Sequence, residues 1–409
     1  MSQALGVPSR RAVARVAAPA VLAAALAGWP GPARSQQAPA PVPSSSLTLI
    51  GSIGERFEAT SNPLLQAGST DVLVGEVTTP KLTIERRTPT SSLALDSQME
   101  VSAYNLDSYD STDNHSTLKA STQGERWVLG FNGAFDYDTT RTSEETGSGV
   151  NITGIRHTGV TLTPLALYAV TPTDSLQVQA SLFNSAYADK QRYTDYRTTG
   201  LSPTWQHALS PTSALVATLM LNEYETRHGP RISIFTWSPQ LGWKGDLTET
   251  LTLAVMAGYQ QSSTDSPDGM QTSGQGGSNG DYNFSVLTTH RTELNTLDLR
   301  FSRQLNPQSD GTQTQALAFS LNDTYRIGPR LSAGLRAYLQ QATYDSTNKQ
   351  GDTVYANLSP RLSYALTDLV ALDLSYQFRF QKNVSDQMAR SNTILLGVTV
   401  KSDQVKIWE

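Results

Sequence analysis

The chain has no cysteine and only five histidines among its 409 residues. No disulfide or thiolate metal site can form. None of the histidines, His115, His157, His207, His228 and His290, stands in a metal-binding spacing of the HExxH kind. GxSxG and P-loop patterns are missing too. Charged residues make up 16% and hydrophobic residues 38%, both low for a globular protein. Ser, Thr, Gln, Asn and Gly fill the difference. The net charge of −5 offers no basic footprint for nucleic acid. After the N-terminal segment no stretch reaches eighteen consecutive apolar residues, so no transmembrane helix is expected. These gaps leave no catalytic residue, cofactor or metal ligand to nominate. They do not touch a β-barrel, whose strands need only every second residue to be apolar.

The N-terminus is of another kind. Arg10, Arg11 and Arg15 precede a short apolar core, Ala17 to Ala27, and Ala33-Arg34-Ser35 offers small residues for cleavage. Residues 1–35 therefore read as a secretory signal. Residues 36–46 (QQAPAPVPSSS) read as a Pro/Ser-rich linker, residues 47–402 as the barrel and residues 403–409 as a C-terminal tail.

A proline-marked unit then recurs at about 40-residue spacing. It is seen at Pro164, Pro203, Pro239 and Pro360. Each unit is an alternating strand, a tight polar turn and a second alternating strand. Splitting a strand by parity separates two coats. From Leu372 one row is Leu372, Leu374, Tyr376, Phe378, Phe380; the other is Asp373, Ser375, Gln377, Arg379, Gln381. Short turns are expected near Pro89, Gly124, Pro172, Pro211, Thr248, Thr292, Gly328 and Asp368. Longer loops are expected over 59–70, 106–116, 140–150, 188–196, 264–281, 305–312, 345–352 and 383–391. Alternating connection lengths and strands of ten or more residues describe an outer-membrane barrel with periplasmic turns. The expected fold is all-β, a transmembrane antiparallel up-and-down barrel of about 18 strands, with 16 the next choice. Trp127, Trp205, Trp243, Tyr259 and Tyr376 fit interfacial girdles facing outer-membrane lipid. Pro80, Pro164, Pro203, Pro239 and Pro360 sit at corresponding places on the apolar row and are expected near the periplasmic rim, where a bulge or lost ladder bond is tolerated.

A barrel of this size keeps a wet lumen. The polar rows nominate Asp96, Glu100, Asp136, Lys244, Asp298, Arg300, Arg336, Tyr338, Arg361, Asp373 and Arg379 as pore-lining. Both signs are interleaved and no ring of one sign shows, which suits a glycan or another small polar solute in the lumen. Any water-filled lumen must be polar, and that plainer reading covers most of the set. Asp107, Asp110 and Asp113 could hold Ca²⁺ through oxygen ligands, or simply form a solvated acidic loop. His228 lies in a predicted loop with no evident Ser or Asp companion.

The unit LSP-x-φ-x-φ-x-L-(S/T)-(P/D)-x-x-x-L-x-φ, with Ser61-Asn62-Pro63-Leu64 after the first strand, resembles the putative β-barrel porin 2 family. The resemblance runs from about Leu47 to Val400. It implies an outer-membrane pore of a Gram-negative cell for exopolysaccharide export, a periplasmic polysaccharide-export protein as partner, and no enzymatic activity. A general diffusion porin and a non-conducting structural or surface barrel are the alternatives. One departure is the ending Ile407-Trp408-Glu409, where outer-membrane barrels usually finish on an aromatic residue.

Overall fold

A computed structural model describes residues 45–143, 154–265, 279–307, 313–345 and 350–408, apart from 192, 230 and 384. The signal segment and nearly all of the linker lie outside the described residues. The strands, in chain order, are β1 (Ser46–Ser61), β2 (Val72–Arg87), β3 (Ser91–Tyr104), β4 (Ser111–Gln123), β5 (Trp127–Thr139), β6 (Arg156–Ala169), β7 (Asp174–Tyr187), β8 (Tyr196–Ser210) and β9 (Ser213–Thr226). They continue as β10 (Ser233–Asp246), β11 (Leu251–Asp265), β12 (Asn279–Arg291), β13 (Asn295–Pro307), β14 (Gln313–Arg326), β15 (Leu331–Asp345), β16 (Gln350–Ala365), β17 (Val370–Lys382), β18 (Met388–Lys401) and β19 (Val405–Trp408). Every strand pairs antiparallel with its sequence neighbour from β1 to β18, and β18 pairs back onto β1 through Thr393–Lys401 against Ser52–Thr60. The sheet is a closed barrel of eighteen strands.

The eighteen-strand expectation holds, and so do all eight short turns. A shared device shapes several of them. A threonine hydroxyl accepts the backbone N–H three residues on: Thr88 from Ser91 at 2.9 Å, Thr171 from Asp174 at 2.9 Å, Thr292 from Asn295 at 3.0 Å and Thr367 from Val370 at 3.0 Å. The hydroxyl stands in for a ladder bond, so the chain reverses without glycine. One long-end connection, 227–232, has no range among the expected loops, although His228 within it is read as a loop residue. The segment expected as a tail also contains β19, which extends the seam by pairing Val405–Trp408 with Leu47–Leu49. Ser402–Gln404 interrupt the strand there, and Ser402 Oγ accepts the N–H of Gly51 at 2.9 Å.

All five prolines lie on the outward row, and at each the ladder skips on one side without a change of register. Thr78↔Val101 is followed by Lys81↔Gln98 around Pro80, and the same gap recurs at Pro164, Pro203, Pro239 and Pro360. The missing N–H removes one rung. There is no bulge at these sites. Against expectation the prolines are in mid-strand, five to seven residues from the turn, rather than at the rim.

The two coats separate as the alternation demands. Outward positions carry the exposed large hydrophobics, among them Leu241 (70% exposed), Phe57 (59%) and Leu396 (54%). Outward Trp127, Tyr168, Trp205, Tyr325 and Tyr364 lie towards the turn end, and Tyr137, Phe235, Tyr259 and Tyr282 towards the loop end, as two girdles. Inward positions carry most of the buried polar residues. The concave side is identified by contacts that skip a strand: Tyr104 on β3 donates to Glu58 on β1, and Asn283 on β12 donates to Ser238 on β10. Eighteen strands about 4.8 Å apart and tilted about 40° make a wall on the order of 35 Å across, too wide for side chains alone to fill.

Candidate functional site: the lumen wall

All eleven nominated residues share the inward row. Their surroundings divide them. Near the turn end the charges face open lumen. Lys81 meets Asp96 at 2.9 Å, and Thr83 donates to the same carboxylate at 2.6 Å. Arg361 donates to Asp373 through Nε at 3.0 Å and Nη2 at 2.6 Å. Thr289 donates to Asp298 at 2.7 Å, and Arg336 donates to Asn322 at 3.3 Å. Arg300 has no hydrogen bond or ion pair among the described residues. Lys244, Arg300, Arg336 and Arg361 form a basic arc over β10–β16. The adjoining arc, β5–β9, has no lysine or arginine on its inward row and carries Asp136, Asp138 and His157. The strands across the lumen from β10–β16 are β1–β7, where Arg56, Lys81 and Lys119 stand among Glu58, Asp96, Glu100 and Asp113.

Near the loop end the same wall is packed. Asp113 is 1% exposed and accepts from Arg156 at 2.6 Å and from Ser111 at 2.9 Å. That excludes the solvated-loop reading for Asp113; Asp110 is spent on the Tyr104 N–H at 2.9 Å, which leaves no shared oxygen cage. Glu100 lies 3.9 Å from Arg56 and accepts from Gln98 at 2.8 Å. His115 Nδ1 is 2.6 Å from Asp136. Glu58 accepts from Thr60 at 2.9 Å and from Tyr104 at 3.1 Å.

Loops supply further groups that no strand parity could nominate. A single helical turn, Thr140–Ser143, places Arg141 inside the barrel with its guanidinium carbon 5.3 Å from the Tyr104 ring centre. Burial lowers the affinity of Arg141 for its proton, and the fields of Tyr104 and Glu58 more than restore it, so it stays cationic. The 188–195 loop folds inward and stacks Tyr193 on Tyr187, ring centres 5.0 Å apart, beside Tyr196 and Tyr224. Asp195 on that loop accepts from Lys190 at 2.8 Å and lies 3.2 Å from His228. His228 thus has an acidic companion, contrary to expectation.

Sequence reading also missed a linear relay. Asp138 lies 2.8 Å from His157 Nδ1, and His157 Nε2 lies 2.9 Å from Ser185 Oγ. The spacing is that of a serine nucleophile with its base and orienting acid. Here Ser185 is 2% exposed and His157 packs on the Tyr187 ring. Ser185 lies within the β6–β7–β8 ladder, paired with Gly159 and Tyr196. Nothing in this arrangement aims free backbone donors at a developing oxyanion, so the relay is read as wall structure.

A family model described as "Putative MetA-pathway of phenol degradation" matches residues 232–395, under half of the chain. It is a different family from the one the hairpin motif resembles. No curated protein matches. Among solved structures the chain is similar to the outer membrane protein OpdK from Pseudomonas aeruginosa, at 10% identity over 87% of this chain and 99% of that one, with a TM-score of 0.45. It is also similar to OccAB4 from Acinetobacter baumannii, at 10% identity over 88% and 99%, with a TM-score of 0.43. Likeness at this level says nothing of a solute.

Proposed function

We propose that the chain is an outer-membrane pore through which small polar solutes diffuse, anions in preference. The carrying observation is the uneven lumen: Lys244, Arg300, Arg336 and Arg361 lie on one arc, β10–β16, and the adjoining arc, β5–β9, carries acids with no lysine or arginine. A closed barrel with an apolar exterior satisfies every backbone group in lipid. Fixed charges along a narrow aqueous path bias which ions enter it. Exopolysaccharide export, the first expectation, loses ground: the family model that matches describes a phenol-degradation pathway rather than polysaccharide export, and no observation calls for a periplasmic export partner. The family description names a phenol-degradation pathway, which makes a small aromatic acid such as benzoate a reasonable test solute. The test is reversal potential in planar bilayers under a KCl gradient, followed by benzoate substitution. Chloride-preferring conductance supports the reading. Silence, as a structural barrel would give, or preference for potassium removes it.

A further inference from the structure

Ser61-Asn62-Pro63-Leu64, notable in the sequence only as part of a resemblance, occupies a defined place at the mouth. At the end of β1 the chain turns into the lumen. Asn62 adopts a φ of 48°. Its Oδ1 accepts the N–H of Gln66 at 2.9 Å, and its Nδ2 donates to the Gln66 carbonyl at 2.8 Å and to the Arg390 carbonyl at 3.1 Å. Ser61 fastens the same point to β18: its carbonyl accepts from Ser391 Oγ at 2.6 Å, and its Oγ accepts the N–H of Asn392 at 3.0 Å. Leu65 has a φ of 53°, a left-handed conformation that a branched side chain rarely takes. Such strain persists where the surroundings over-determine it. Here they do. Leu65 is 5% exposed and seats on Tyr355 and Ala389, with Tyr338 packed against them. Tyr338, Tyr355 and Ala389 all belong to inward rows of the wall.

We infer that residues 61–66 form a fixed strap folded against the inner face of β15–β18 that sets the width of the pore at its mouth, with Leu65 as the anchor and Asn62 as the clasp. The strap also meets the charge of the wall, since Arg379 Nη2 donates to the Pro63 carbonyl at 3.4 Å. This size-setting role rests on the pore reading above; the position of the strap does not.

Two measurements separate them. In planar bilayers, Leu65→Ala and Asn62→Ala should raise single-channel conductance by about 1.5-fold or more and admit a tetrasaccharide in liposome swelling. If the unaltered chain conducts and both variants match it, the strap does not set the width, while the pore reading survives. If only Leu65→Ala conducts, the strap is a plug and free diffusion through the unaltered chain is wrong. The second measurement needs no conduction. The absence of cysteine allows Ala389→Cys to be labelled alone, in folded barrels verified by heat-modifiable migration. Ala389→Cys should react slowly with a bulky maleimide, and Ala389→Cys with Leu65→Ala at least about fivefold faster, because thiol access governs the rate. Equal rates overturn the strap whatever the currents show.

Discussion

Asp113 and Asp373 are both inward carboxylates with an arginine nitrogen 2.6 Å away. Asp113, near the loop end, has a side chain 1% exposed, and its partner Arg156 is 33% exposed. Asp373, nearer the turns, is 19% exposed, and its partner Arg361 is 42% exposed. The residue types and the distance are the same; the depth of packing differs. At the loop end, Arg141, Tyr193 and Leu65 descend from connections and close over the wall charges. Charges that are packed against neighbours hold the mouth together. On the proposed pore reading, the charges that remain exposed are the ones that set a field for whatever passes.

The strongest way to break this contrast is to reverse the turn-end field. Replacing Arg300, Arg336 and Arg361 together by Glu should turn anion preference into cation preference. Each reversal alters a wall-to-ion interaction by roughly 1 kcal/mol in a water-filled path, so the permeability ratio should move on the order of tenfold or more. Reversal potential is the readout, and an unchanged ratio would place the selectivity elsewhere. Folding should survive, because all three side chains border the open lumen.

Stability should show the opposite pattern. Asp113→Ala removes the partner of a half-buried arginine inside a packed wall. Removing one member of a buried pair is strongly destabilising, and with Arg156 one-third exposed the expected loss is about 2–4 kcal/mol. Asp373→Ala breaks a pair screened by lumen water and should change stability by no more than about 1 kcal/mol. Urea unfolding followed by loss of heat-modifiable migration measures both. Equal losses would erase the distinction between the two halves of the lumen.

The alternation of Leu372 to Phe380 against Asp373 to Gln381 reveals strand, face and coat at once, because side chains in a strand repeat every two residues. The turns are legible for a related reason: a threonine, a proline or, at Gly124, a glycine punctuates each hairpin locally. Parity gives the side of the wall on which a charge lies and no information on what it meets. Asp113 on β4 finds Arg156 at the start of β6, past the intervening β5, and Arg141 reaches Tyr104 only because residues after β5 turn inward. Loop insertion has no period. The 227–232 connection has two local signals, Gly229, at a φ of 77°, and the proline that follows it in sequence; they place His228 in a loop without marking the extent of the connection. The prolines were seen on the correct face, but their depth along the strand could not be judged without the register.

The inserted 188–195 loop offers a milder probe. Burial pushes the Asp195 carboxyl up, and hydrogen bonds from Lys190 and the Tyr187 N–H, with the nearby Lys190 and His228 charges, more than offset it, leaving it below the ordinary carboxylate value. A depressed acid stabilises above its unfolded value, about 3.9, and loses that contribution as pH falls through the folded value. The Tyr193–Tyr187 stack should therefore persist at pH 5 and loosen only below about pH 4. In Asp195→Asn it should be looser at neutral pH and no longer titrate there. Near-ultraviolet circular dichroism, taken as the difference between the two proteins, follows the stack.

The smallest effect is expected where the geometry is most suggestive. Ser185, His157 and Asp138 have the distances of an activated serine, and the packed mouth is what keeps them from acting as one. A nucleophile needs room for an incoming carbonyl and donors waiting for its oxygen. Ser185 is 2% exposed and sits within a strand ladder. A fluorophosphonate probe should leave Ser185 unlabelled in the folded barrel, and Ser185→Ala should not alter hydrolysis of p-nitrophenyl esters. Labelling at Ser185 would mean that the mouth opens enough to admit a substrate. The loop-end charges would then be working groups like those at the turns, and the contrast between Asp113 and Asp373 would be one of degree.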